Sequence, residues 1–261
     1  MDSKSLSLAI VDWLREKVRS AGAMGLVVGL SGGIDSAVTA ALCQRAFPEE
    51  VLGVLMPCHS NPQDEADARL LAESLKLRTT TVDLSGIYDL FVTRLDEALS
   101  TGPLSGNRNE VHARNPAGMK DLATANIKPR LRMITLYYHA AKLNYLVAGT
   151  GNRSELTVGY FTKYGDGGVD LLPIGGLVKS QVRELARYFR IPEPIIEKAP
   201  SAGLWQGQTD EGEMGMTYAE LDKYILTGEG PARVRETVER LHRQSEHKRQ
   251  LPEIFRIPDE A

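Results

Sequence analysis

The chain has 261 residues, 42% hydrophobic and 25% charged, a composition ordinary for a soluble globular protein that can bury a sizeable core. Its formal net charge of −3 lacks the basic surplus of a general nucleic-acid binder but leaves room for a local basic pocket. The two cysteines, Cys43 and Cys58, form no CxxC pair, so neither a thiolate metal site nor a dithiol redox centre is expected and both read as inert core residues. The opening MDSKSLSLAIVDWLREKV is amphipathic and charged, without the apolar run of a signal peptide or membrane span. A cytoplasmic protein with neither a membrane nor a nucleic-acid partner is expected.

Taken in chain order, Leu6, Ile10, Trp13, Leu14 and Val18 recur at helical spacing and predict a helix over 4–20. GLVVGL (25–30) is a short β-branched apolar run and reads as a buried strand. The loop SGGIDS (31–36) follows, then a helix over 37–47. VLGVLM (51–56), RTTTVDL (78–84) and NYLVAGT (144–150) predict three more strands, with helices at 62–76, 86–99 and 119–143. The Gly-, Asn- and Pro-rich stretch 100–117 reads as a loop or crossover. Strands alternating with helices imply an α/β fold: a doubly wound parallel sheet, helices on both faces, ligand at the carboxyl ends of the strands. After residue 150 the segments 159–176 and 199–216 are rich in glycine and polar groups. They carry Phe161, Tyr164, Leu171, Leu172, Leu204 and Trp205, which favours binding loops over linkers. Helices are predicted at 178–190, 217–226 and 231–246.

The strongest local signal is Gly29, Leu30, Ser31, Gly32, Gly33, Ile34, Asp35 and Ser36, placed between a strand and a helix. The glycines let the main chain approach a ligand, Ser31 and Ser36 add hydroxyls, and the following helix offers free N–H groups and its positive dipole end. The loop can therefore cradle phosphate. No GxxxxGK[ST] or GxGxxG pattern is present. Asp35 inside the loop would be repelled by phosphate unless Mg2+ lies between them, so it is a candidate metal ligand. Glu155, five residues beyond the fourth strand, can face Asp35 across the same cleft and share that Mg2+. Thr150, at the strand tip, can reach a nucleotide.

SGGIDS resembles the loop of the ATP pyrophosphatases, which split ATP between its α and β phosphates and adenylylate an acceptor. VAGTGNRSE (147–155), GYFTKYGDGGVDLLPIGGLVKSQVREL (159–185), APSAGLWQGQTDEGEMGMTYAELD (199–222) and SEHKR (245–249) are similar, in order, to the NAD+ synthetases of that group. The resemblance covers nearly the whole chain and implies a Rossmann-like, adenine nucleotide alpha hydrolase-like fold. The activity it implies is ATP-dependent amidation of deamido-NAD+ by ammonia, the last step of NAD+ biosynthesis, with Mg2+ as cofactor and ATP as co-substrate. It places ATP on the glycine loop, Thr150, Lys179 and Ser201, Mg2+ on Asp35 and Glu155, and deamido-NAD+ on Arg130, Lys163, Asp170, His247 and Lys248. Lys179 would meet the charge growing on pyrophosphate, and Asp170 or a carboxylate of the closing loop would take the ammonium proton. Arg132 stands close to Arg130 in KPRLRMITLYY, and Arg130 is preferred. Residues near Met56 are expected around the adenine, and Arg78 at the third strand is expected to take part in the site. Segment 203–216, with Trp205, Asp210 and Glu211, resembles a loop that closes over the site.

Only 30 residues precede Ser31, too few for an amidase domain. A single domain over 1–261 fed by free ammonia is therefore expected, unless a separate subunit supplies the ammonia. The family forms homodimers. Leu122, Ile127, Leu131, Ile134 and Tyr138 supply either part of that surface or monomer core. A GMP synthetase module would share SGGIDS but lack FTKYGDGG and LWQGQTDEGEMG. A non-catalytic nucleotide-binding regulator would need no Asp35–Glu155 pair.

Overall fold

A computed structural model describes residues 1–101, 121–205 and 207–255. Four short strands, β1 (Gly25–Gly29), β2 (Val51–Leu55), β3 (Arg78–Thr81) and β4 (Tyr145–Ala148), form one sheet in the order β3-β2-β1-β4. Every pairing is parallel. The order reverses between β1 and β4. This switch point opens a crevice at the carboxyl ends of those two strands, where ligands sit in such folds.

Alternation along the strands divides the core. Leu26 and Val28 pack on one face against Leu14, Val38, Leu71 and Leu185. That face is covered by α1 (Ser3–Ser20), α2 (Ile34–Ala46), α3 (Pro62–Leu75) and α8 (Lys179–Tyr188). Val27, Val54 and Val147 point the other way, against α6 (Ile127–Leu143) through Leu131, Leu136 and Tyr137. A third apolar cluster, with Val158, Met214, Tyr218, Leu221, Val234 and Val238, lies apart from the sheet. It joins α7 (Arg153–Val158), α10 (Asp210–Met214), α11 (Tyr218–Thr227) and α12 (Ala232–Gln244). No described helix is long and apolar enough to cross a membrane.

Four expectations change. The helix after the glycine loop starts at Ile34, three residues early, because Gly33 is extended (φ −98°, ψ 162°) and serves as its N-cap. Asp35 and Ser36 therefore stand in the first helical turn. The helix expected over 119–143 is two helices, α5 (Leu122–Ala125) and α6, joined at Asn126. Pro129 has no N–H to offer the Ala125 carbonyl, so an uninterrupted helix cannot cross that junction. The helix before it, α4 (Ser85–Thr101), runs into the expected loop, whose remainder lies outside the described residues. A short α9 (Glu193–Glu197), absent from the periodicity, follows α8.

Candidate active site

The glycine loop leaves β1 and turns straight into α2. Gly32 adopts φ +75° over the Asp64 carbonyl of α3, a conformation and an approach that suit only glycine. Ser36 Oγ donates to the Gly33 carbonyl (2.9 Å), Ser31 Oγ donates to Ser36 Oγ (3.1 Å), and Gly33 N donates to Ser31 Oγ (3.3 Å). The two serines thus hold the loop's shape from within.

At the end of β4, beyond Thr150, Asn152 caps α7. Its side chain accepts from Glu155 N (3.0 Å), and Glu155 Oε2 accepts from Asn152 N (3.2 Å), a reciprocal capping box. Asn152 Nδ2 also donates to Asp35 Oδ1 (3.0 Å), tying the two strand exits together. Between Asp35 and Glu155 lies the Lys179 ammonium. It bonds Asp35 directly and stands 3.5 Å from Glu155. Tyr218 lies beneath, its ring centroid 4.8 Å from Lys179 Nζ, its hydroxyl donating to Asp210 (2.9 Å) and reaching Glu155 at 3.4 Å.

Burial and the Asp35 charge push the Glu155 carboxyl well above the usual carboxylate range, and Lys179 only partly opposes them. Burial works to lower the Lys179 pKa, but Asp35 and Glu155 outweigh it and hold the ammonium firmly charged. Sequence spacing anticipates the Asp35–Glu155 pairing but not Lys179 between them, and it misses Tyr218 altogether, since nothing local marks that tyrosine.

Other expected residues gather on the neighbouring wall. Arg130 donates to the Lys163 carbonyl (3.4 Å), and Lys163 Nζ donates to the His247 carbonyl (2.6 Å). Lys248 Nζ donates to the carbonyls of Gly159 (2.8 Å) and Phe161 (2.7 Å), so it staples that loop. A cavity of about 300 Å3 opens beside Glu155, lined also by Gly151, Phe161, Asp166 and Lys248. Asp166, passed over in the sequence, accepts from Thr162 N (2.9 Å). Lys128 of α6 donates to the Leu204 carbonyl (3.0 Å) and so holds the expected closing segment against that helix.

Asp170 stands elsewhere on the same rim. One oxygen accepts from Tyr137 (2.9 Å) and the other from Val147 N (2.8 Å). Ser201 bonds only Gly203 (3.2 Å) among the described contacts. Arg132 is separate from Arg130: its guanidinium donates to the Met56 carbonyl and to Ser60, both at 3.3 Å, at the exit of β2. Arg78 begins β3 and bonds Glu49 and Tyr145 at the amino ends of the strands, opposite the glycine loop. That position lies away from the site in which it is expected to take part.

The two carboxylates fit a hard divalent cation. They already share one cation and present only oxygen donors. Among the described residues no group of three or more His, Cys, Asp or Glu side chains is built for a metal. Mg2+ suits that arrangement, because it commonly binds through one or two carboxylates plus phosphate oxygens and water.

Comparison with known proteins bears on the whole chain. It is 58% identical over 245 residues to the NH(3)-dependent NAD(+) synthetase of Carboxydothermus hydrogenoformans, covering 94% of each chain. Its structure is similar to that of NMN synthetase from Francisella tularensis (TM-score 0.85, 37% identity, 99% of each chain). It is also similar to the NH3-dependent NAD synthetase of Campylobacter jejuni (TM-score 0.74, 31% identity, 98% of this chain and all of the other). The NAD synthase family profile matches residues 6–252, and the chain belongs to that family.

Proposed function

We propose that the protein is an ammonia-dependent NAD+ synthetase, a ligase that amidates deamido-NAD+ at the expense of ATP. The observation that carries this reading is the Asp35–Lys179–Glu155 cluster beside the glycine loop at the β1/β4 switch point. The relatives' shared activity supplies the acceptor. The nicotinate carboxylate attacks the α phosphate of ATP, and the bond to the β phosphate breaks to release pyrophosphate. Loop amides and the α2 dipole hold the phosphates, and Lys179 offsets the charge that grows on the leaving group. Mg2+ held by Asp35 and Glu155 would neutralise triphosphate charge. Ammonia then attacks the acyl carbonyl, AMP leaves with its electron pair, and the nitrogen loses a proton to a nearby carboxylate, for which Asp166 at the cavity joins Asp170 on the rim as a candidate. Arg130, Lys163, His247 and Lys248 form the wall for deamido-NAD+, with Thr150 and Ser201 on the ATP side.

The protein acts as one catalytic domain in the cytoplasm, where the buried free thiols Cys43 and Cys58 stay reduced. It works as a homodimer. Helix α4 buries none of its residues yet exposes Ile87, Leu90, Phe91, Leu95 and Leu99, and α6 adds Ile134 and Tyr138. Exposed apolar residues gathered on two helices in this way call for a partner, and a second copy supplies the same residues. Leu131, by contrast, packs in the monomer core.

The likeness to an NMN synthetase favours one further acceptor, nicotinate mononucleotide, which carries the same reacting carboxylate. Chromatography of the products tests both readings. Purified protein receives ATP, Mg2+ and ammonium with deamido-NAD+ in one tube and nicotinate mononucleotide in another; a third replaces ammonium with glutamine. NAD+ and AMP in the first tube, with little in the third, support the proposal. NMN as the faster product selects the second acceptor, and no amide in any tube refutes both.

A further inference from the structure

Helix α8 begins at Lys179 with no cap of its own. Its N-cap residue is Val178, which has no side-chain acceptor, and only the Val178 N–H is met locally, by Gln181 Oε1 (3.0 Å). The capping group comes from α11. Asp222 Oδ2 accepts from Ser180 N (2.7 Å), and Oδ1 accepts from Lys179 N (3.3 Å) and from Ser154 Oγ (2.6 Å). Ser154 Oγ in turn accepts from Lys179 N (3.2 Å). Asp222 is buried, and among the described residues no cationic side chain pairs with it. Its charge is met by the N–H groups and positive dipole end of α8.

The placement of these bonds matters. Lys179 carries the ammonium of the site, and Ser154 immediately precedes Glu155. One carboxylate therefore holds the backbone at the start of α8 and the side chain next to Glu155. Tyr218, four residues before Asp222 and so on the same face of α11, supports the same two side chains from below. We infer that Asp222 is a positioning residue for adenylylation: lodged between Ser154 and the start of α8, it sets where the Lys179 ammonium and the Glu155 carboxylate stand. The inference rests on the proposed role of Lys179 at the departing pyrophosphate. Moving that ammonium by about 1 Å costs rate in the chemical step more than it costs substrate binding.

The test is a double-mutant cycle on the full chain, with pyrophosphate release as the readout. Asp222→Asn keeps size and one acceptor but removes the charge and turns an amide toward the α8 N–H groups. Asp222→Asn is expected to lower kcat at least about tenfold while the KM for deamido-NAD+ changes less than about twofold. In a Lys179→Met background the same change is expected to cost less than about twofold, because the group it positions is gone. Equal loss in both backgrounds, or a kcat within about twofold of wild type, overturns the inference. Ser154→Ala provides a second route if Asp222→Asn does not fold. It removes the Ser154 bonds to Asp222 and to Lys179 N, keeps the bonds of Asp222 to Lys179 N and Ser180 N, and must show the same dependence on Lys179, or the inference fails. Wild-type protein that releases no pyrophosphate with deamido-NAD+ instead refutes the underlying function, so the two failures are distinguishable.

Discussion

Replacing Gly32 by alanine tests the geometry of the phosphate loop most directly. An added Cβ would stand 2.2 Å from the Asp64 carbonyl oxygen and 3.0 Å from its carbon, both backbone atoms of α3 that no side-chain rotation can move. Relief needs a shift of roughly 1 Å between loop and helix, and such overpacking costs about 1–3 kcal/mol. The left-handed φ of +75° adds about 1–2 kcal/mol for a residue with a Cβ. The stiffer unfolded chain returns about 0.4–1 kcal/mol. The expected net loss is about 1–5 kcal/mol. Gly33 is the internal control. Its φ of −98° is ordinary, and its added Cβ would meet only Ser31 Oγ at 3.4 Å. Gly33→Ala should stay within about 1 kcal/mol of wild type. Urea denaturation at fixed protein concentration measures both, and titration calorimetry with a non-hydrolysable ATP analogue reads the loop. Gly32→Ala is expected to bind the analogue at least about tenfold more weakly. A Gly32→Ala protein as stable and as tight-binding as wild type, or a Gly33→Ala protein equally destabilised, would refute the close-approach reasoning.

Two further perturbations probe other parts of the fold. Lys198, just before the closing segment, is held by Asp64 (2.6 Å) and the buried Asp67 (2.7 Å). Burial works to raise the Asp67 pKa, but Lys198 and Gln63 outweigh it and leave it below the usual carboxylate value. A depressed carboxylate contributes its stability above the unfolded pKa and loses it as pH falls through the folded one. Asp67→Asn should therefore cost about 1–2 kcal/mol at pH 7, since Lys198 keeps Asp64, and that gap should close below about pH 4 in urea titrations. A gap that widens in acid would contradict this. Leu90→Glu on α4 should convert the dimer to monomer in sedimentation velocity without unfolding it; a dimer that persists at low micromolar concentration places the interface elsewhere.

The sheet was legible because its strands are short β-branched runs, and the glycine loop because Gly32 and Gly33 stand between a strand and a helix. The break at Asn126 was readable in principle from Pro129, whose missing N–H outweighs an apolar period that runs straight through it. The convergence at Lys179 was not legible from spacing. Asp35, Glu155 and Lys179 are separated by 120 and then 24 positions in the chain. Only the order β3-β2-β1-β4 places the exits of β1 and β4 side by side. The cap of α8 was hidden for the same reason: its local sequence offers valine at the capping position, and the acceptor arrives from Asp222 across the third cluster.

The Asp35–Lys179–Glu155 cluster makes poor sense as a stabilising device. Desolvating such charges is costly, and apolar residues of similar volume commonly do as well or better. Its exposure is also asymmetric. The Lys179 side chain is 2% exposed, whereas those of Asp35 and Glu155 are 18% and 16% exposed. The carboxylates thus face the crevice with the ammonium behind them, so a divalent cation entering with ATP would meet oxygen first and a positive charge second. At an effective dielectric near 20, an ammonium about 5 Å from that cation opposes it by several kcal/mol, part of which ATP phosphates would relieve by drawing Lys179 toward themselves. Lys179→Met removes the resident charge. It should bind Mn2+ at least about tenfold more tightly than wild type when no nucleotide is present, read by electron paramagnetic resonance. Adding ATP should narrow the difference. Equal or weaker Mn2+ binding by the variant, at a pH that keeps Glu155 ionised, would mean that Lys179 does not compete with the metal.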